Sequence, residues 1–144
     1  MITRTGHCLC GAVGFTISPH TPEVGACHCK MCQRWAGSAL LAMETPADAI
    51  KFAGESHIKR FQSSDWAERA WCDSCGSSLW YRVTTPSDAP HPFEIPIGLL
   101  DDTAGLTMTR EIYFDEKADL VDFKGEREQL TTAECLALYA GNEE

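Results

Sequence analysis

At 144 residues, 44% of them hydrophobic and 23% charged, the chain is long enough for one buried core and ordinary for a soluble globular protein. No stretch approaches the roughly 18 consecutive apolar residues of a membrane-spanning helix, so no membrane partner is expected. The net charge of −9 is concentrated in residues 101–144, which hold 12 acids against 4 bases, so the chain offers no basic footprint for nucleic acid.

Met1 to His7 contain neither the apolar run nor the cleavage site of a signal peptide, which predicts a cytoplasmic, reducing setting. A CxC pair follows, Cys8 and Cys10. Val13, Phe15 and Ile17 then alternate with small or polar residues as in a half-buried strand, ended by Pro19 and Pro22. Glu23 to Ala26 runs extended into Cys27-His28-Cys29-Lys30-Met31-Cys32, an alternation that puts Cys27 and Cys29 on one face and His28 on the other. Gln33 to Gly37 reads as a turn and Ser38 to Glu44 as a buried strand. Thr45-Pro46-Ala47-Asp48 resembles a capping box opening one helical turn. Phe52 to Glu55, His57 to Phe61 and Glu68 to Trp71 read as short strands, the last entering the CxxC pair Cys72 and Cys75. Ser78 to Val83 leaves that pair as another strand, with Leu79, Tyr81 and Val83 on one face.

Thr84 to Pro92, with three prolines, is a surface loop. Phe93, Ile95, Ile97 and Leu99 alternate cleanly, although Pro96 restricts this strand to an edge or a bulge. Glu111 to Phe114 is a last strand. Thr131 to Glu134 is a capping box for a helix through Tyr139, stopped near Gly141, with Cys135 inside it as an ordinary buried thiol. The sum is a single mainly β domain over residues 1–144, its turns pinned by metal and a short helix at its C-terminal end.

Seven of the eight cysteines fall in the three groups. Zinc takes thiolates in a tetrahedron, so two pairs brought together make one closed site, and the central three make a second with a position left open. Closed sites are usually structural and open ones chemical. Spacing leaves a competing assignment, in which Cys8 and Cys10 join two of the central cysteines and the third joins Cys72 and Cys75. A disulfide framework fits secreted chains, and CxC spacing would force a strained ring.

Three runs carry a resemblance: Cys8-Leu9-Cys10-Gly11, then Cys27-His28-Cys29-Lys30-Met31-Cys32, then Arg69-Ala70-Trp71-Cys72-Asp73-Ser74-Cys75-Gly76. With Phe52-Ala53-Gly54-Glu55, Gly98 to Asp102 and Ile112 to Lys117, they make residues 6–124 similar to the glutathione-dependent formaldehyde-activating enzyme family, also called centromere protein V-like. The resemblance implies a β-tent fold with two zinc ions per chain. One is structural, on Cys8, Cys10, Cys72 and Cys75; the other is catalytic, on Cys27, Cys29 and Cys32. Departures from the family pattern are Lys30 where serine is frequent, Gln33-Arg34 where two arginines stand, Trp71 for phenylalanine, and Leu120 where a tryptophan is expected. They bear on substrate recognition and leave the cysteines untouched.

The expected activity is that of a carbon-sulfur lyase joining glutathione, or another thiol, to formaldehyde or a similar small aldehyde as S-(hydroxymethyl)glutathione. An open zinc held by three thiolates is a poor generator of hydroxide and suits a soft thiolate better. Lys30 and Arg34 are the candidate cations for the tripeptide's carboxylates, with Arg69 or Arg82 as further ones, and His28 is the candidate proton carrier. The opposing expectation is a non-catalytic, zinc-stabilised protein-binding module, or a related enzyme acting on another substrate.

Overall fold

The chain turns back on itself at Cys8–Val13, where the Cys8 N–H donates to the Val13 carbonyl at 2.9 Å and Gly11 takes a left-handed φ of 83°. Strands β1 (Arg4–His7) and β2 (Gly14–Ile17) leave this turn antiparallel, and β5 (Ile50–Ala53) pairs with β2 to complete a three-stranded sheet. The computed structural model describes residues 1–139, and among these the remaining strands form one eight-stranded sheet. They are β3 (Glu23–Cys27), β4 (Leu40–Thr45), β6 (Ile58–Gln62), β7 (Ala67–Cys72), β8 (Ser78–Val83), β9 (Phe93–Pro96), β10 (Thr107–Ile112) and β11 (Glu128–Leu130), in the order β11-β10-β3-β4-β9-β8-β7-β6. With α1 (Lys30–Ala36) and α2 (Thr132–Tyr139), the fold is mainly β, as periodicity predicts.

The core lies between the two sheets. Val13, Phe15, Ile17 and Ile50 of the small sheet and its turn meet Val24, Met43, Trp80, Phe93 and Ile95 of the large one. Phe52, Trp80 and Phe93 pack ring to ring at centroid distances of 5.0 to 5.4 Å, and the Trp80 indole N–H donates to Glu68 Oε2 at 2.9 Å. Strand β4 is covered on both faces. Met43 and Thr45 point into this core, while Leu40 and Ala42 are buried on the other side with Cys32 of α1. The second face of the large sheet is therefore where the central cysteines sit.

Several elements differ from the sequence reading for identifiable reasons. Residues 33–37 are not a turn but the body and cap of α1, which begins because the Cys29 sulfur accepts from the Cys32 N–H at 3.4 Å and ends at Gly37, in the left-handed region at φ 87°. Strand β9 is internal to the sheet, and Pro96 is tolerated because it is the last residue before a 3-10 turn over Ile97–Leu99. A register shift in the β7–β8 pairing, where Ala70 faces Trp80 and Trp71 faces Ser78, leaves Leu79 unopposed and buries both Leu79 and Trp80. The helical turn at Ala47–Ala49 forms without a side-chain cap, the Thr45 hydroxyl donating to the Met43 carbonyl instead. The last strand begins earlier than expected, at Thr107, and β11 follows it, parallel to β10. At Thr131 the capping box forms reciprocally with Glu134. The expected stop near Gly141 lies outside the described residues.

Gly54 has φ 78°, and a Cβ there would stand 1.8 Å from the Ala12 carbonyl oxygen. Left-handed strain of about 1–2 kcal/mol adds to the displacement of the Cys8–Val13 turn. Gly54→Ala is expected to cost about 2 kcal/mol or more, read as a lowered thermal midpoint against wild type.

Candidate metal centre

Two groups of sulfur atoms converge, each with every member within 4.8 Å of the others: Cys8, Cys10, Cys72 and Cys75 in one, Cys27, Cys29 and Cys32 in the other. The two CxC/CxxC pairs thus meet each other, and neither meets the central cluster. None of the eight cysteines forms a disulfide.

The four-sulfur group joins the hairpin turn of the small sheet to the turn after β7. Cys8 and Cys72 are fully buried. The Val13 N–H points at Cys8 Sγ (3.3 Å) and the Ser74 N–H at Cys72 Sγ (3.4 Å), while the Leu9 N–H donates to the Ser77 hydroxyl at 2.9 Å and links the turns directly. Gly76, at φ 79°, closes the second turn by donating to the Cys72 carbonyl. Ligand sulfurs about 2.3 Å from a tetrahedral zinc stand about 3.8 Å apart. The separations here are 3.7 Å for Cys8–Cys10 and 3.8 Å for Cys10–Cys72, so the donor set fits that ion. Hydrogen bonds from the Ser77 hydroxyl and N–H hold the Cys75 thiol down to about 5.

The three-sulfur group sits where β3 runs into α1. Cys27 ends the strand, Cys29 caps the helix, and Cys32 is the buried residue of its first turn. The Cys27 thiol donates to Cys29 Sγ at 3.4 Å. That bond, with the one from Cys32, the Cys32 N–H and the charge of Arg69, drives the Cys29 thiol far below its ordinary range. Arg69 is 4% exposed, its guanidinium nitrogens both 3.7 Å from Cys32 Sγ and its plane held between the rings of Trp35 (5.0 Å) and Tyr81 (4.9 Å). Cys27 and Cys29 remain half-buried. Three soft donors at this spacing fit a zinc ion with one position left for a further ligand.

The other candidate residues lie as follows. Lys30 and Arg34 are exposed on α1, and neither is in an ion pair among the described residues. Arg82 is held elsewhere, over the Phe93 ring at 4.0 Å with its Nε donating to the His91 carbonyl. His28 is 1% exposed and turns its ring away from the thiols to Glu111, with Nε2 2.8 Å from Oε1. Cys135 is a buried thiol whose sulfur accepts from the Tyr113 N–H at 3.5 Å. Trp35, Tyr81 and Glu94 belong to this face without having been singled out. Cross-strand register brings the last two together, Arg69 facing Tyr81 and Tyr81 facing Glu94, whereas simple alternation groups Tyr81 with Leu79, which the register shift buries in the core instead.

A family model described as glutathione-dependent formaldehyde-activating enzyme matches residues 3–116, most of the chain. The chain belongs to this family. All seven clustered cysteines lie within the span matched to the glutathione-dependent formaldehyde-activating enzymes, and residues 117–139 follow it. A Schizosaccharomyces pombe protein described as an uncharacterized lyase is 27% identical over 91% of this chain and 93% of its own length. A Halomonas elongata protein provisionally given the family's name is 32% identical over 61% of each chain.

Glu94 lies on the same sheet face, half-buried and directly opposite Glu44 of β4. Burial first, then the Glu44 charge, pushes its carboxyl up to about 8. Between the ordinary 4.5 and about 8 the unfolded chain has lost this proton while the native chain keeps it, so stability falls as pH rises through that window. Glu94→Gln is therefore expected to be neutral at pH 4 and to stabilise by about 1–3 kcal/mol at pH 8.5, measured by urea unfolding at both values.

Proposed function

We propose that this protein is a zinc-dependent carbon-sulfur lyase that adds glutathione, or a thiol like it, to formaldehyde or a similarly small aldehyde, and reverses that addition. The observation that carries the reading is the half-buried three-thiol cluster with a buried arginine against it. Family membership and the relative described as a lyase support the reaction class. Cys8, Cys10, Cys72 and Cys75 would hold a structural zinc, and Cys27, Cys29 and Cys32 a catalytic one. Bound there, zinc supplies a soft Lewis acid that keeps a thiol sulfur ionised at neutral pH. In the reaction, sulfur adds to the carbonyl carbon, the carbon–oxygen π pair moves to oxygen, and the proton shed by the thiol ends on that oxygen.

The chain's own residues supply charge, shape and exclusion. Three thiolates holding one divalent ion would carry a net charge of about −1, which the Arg69 guanidinium, kept against Cys32 by Trp35 and Tyr81, would offset. Lys30 and Arg34, one helical turn apart on the exposed side of α1, would meet the carboxylates of an anionic tripeptide. His28, whose ring is engaged by Glu111, serves orientation better than proton transfer. We take residues 1–144 as one domain working in the cytoplasm on small molecules.

Zinc stoichiometry on wild type and Cys29→Ser tests the reading. Two zinc ions falling to one, with fold retained and thiol–aldehyde turnover abolished, are expected. One zinc in both proteins, or collapse of the fold in Cys29→Ser, would favour a binding module, and turnover that survives would move the chemistry away from the three-thiol centre. Arg69→Met is expected to keep both zinc ions and to lower kcat/KM for the thiol substrate about tenfold or more, as steady-state kinetics on the zinc-loaded protein would show.

A further inference from the structure

Behind the three-thiol cluster, on the opposite side of β3 and β10, lies a buried polar group that the proposed reaction does not use. Glu111 is 1% exposed. Its Oε1 stands 2.8 Å from His28 Nε2, and its Oε2 accepts from Arg127 Nη1 at 2.8 Å and from Gln129 Nε2 at 3.0 Å. The His28 ring is enclosed by Phe114 and Phe123, each 6.0 Å away between centroids. The backbone of His28 is equally committed. Its N–H donates to the Ile112 carbonyl at 3.0 Å, and its carbonyl accepts from Gln33 Nε2, which also reaches the Glu116 carbonyl.

His28 is the residue between two of the three thiols, so whatever fixes His28 fixes the direction in which Cys27 and Cys29 point. A one-residue slip or a peptide rotation at this point would bring the imidazole to the sulfur side and leave Glu111 Oε1 buried without its partner, an outcome the low-dielectric interior disfavours. Arg127 and Gln129 come from the segment after residue 116, beyond the span the family model matches.

We propose that Glu111 is a positioning residue for the three-thiol centre, holding His28, and through it Cys27 and Cys29, under the grip of Arg127 and Gln129 from β11 and the loop before it. The inference rests on the reading of Cys27, Cys29 and Cys32 as a metal centre. It assigns to the C-terminal segment a part in building the site rather than merely covering the sheet.

The test uses the full chain loaded with cobalt(II) in place of zinc, with Cys29→Ser supplying the spectrum of the four-thiol site alone. Glu111→Ala is expected to shift the absorption of the three-thiol centre and to speed loss of its metal to a chelator about 10- to 100-fold, with the four-thiol bands unmoved. Glu111→Gln, which preserves an acceptor for His28, is expected to restore most of the wild-type behaviour. Arg127→Met keeps Glu111 and His28 in place, should loosen the same centre selectively but less, and decides the matter where Glu111→Ala yields no folded protein. Parallel changes at both sites, no change at either, or identical behaviour of Glu111→Ala and Glu111→Gln would overturn the positioning role. A wild-type chain that takes up only one cobalt would overturn the metal centre itself, and the positioning role with it.

Discussion

Seven sulfur atoms gathered into two clusters, the members of each within 4.8 Å of one another, are the constraint on which the rest of the structure depends. Neutral thiols are weak hydrogen-bond partners and thiolates repel one another, so converging sulfurs of this kind are suited to hold a cation. The backbone is arranged accordingly. Left-handed glycines at positions 11 and 76 bend the two turns of the four-sulfur group, and backbone N–H groups aim at Cys8 and Cys72. That group joins the small sheet to the large one, with Cys8 and Cys72 buried, Cys75 half-buried and Cys10 exposed. The three-sulfur group is built from a strand end and a helix start, and two of its members stay in reach of solvent.

The contrast between the two groups follows from which sheet face each occupies. One face of the large sheet is spent on an aromatic and aliphatic core shared with the small sheet. The other is covered only in part, by a seven-residue helix, and carries Arg69, Tyr81, Glu94 and the half-buried thiols. Strand β4 serves both, with Met43 in the core and Ala42 beneath Cys32. A site on such a strand inherits the rigidity of the core behind it, which is what a reaction depending on orientation requires.

Much of this was legible in the residues. Alternation at Val13, Phe15 and Ile17 and along Ser78 to Val83 marks strands, and the reciprocal box at Thr131 and Glu134 marks the last helix, because these signals are local. The short helix α1 was not legible. Its cap is a cysteine, a residue type outside the usual capping set, and that cysteine also belongs to a metal-ligand pattern that reads as a turn. Strand β11 was missed because three residues held by parallel pairing to β10 carry almost no periodicity of their own. At the site, the cysteine spacing allowed two groupings, and only the three-dimensional arrangement brings one of them together. Arg69 read as one of several flanking cations, and the partner of His28 lies 83 residues away, where no local pattern can point to it.

The parallel pairing of β3 with β10 has a consequence for biosynthesis. Strand β3 and the thiols it carries emerge from the ribosome some 80 residues before the strand that lies against them. Until residues 107–130 have been made, the Cys27–Cys32 segment has neither its sheet neighbour on that side nor the buried carboxylate behind His28. The Cys8 and Cys10 pair, by contrast, needs only residue 75 to complete its set. The two sulfur groups would then be completed in order along the nascent chain, the one between the sheets first and the one at the start of α1 only at the end.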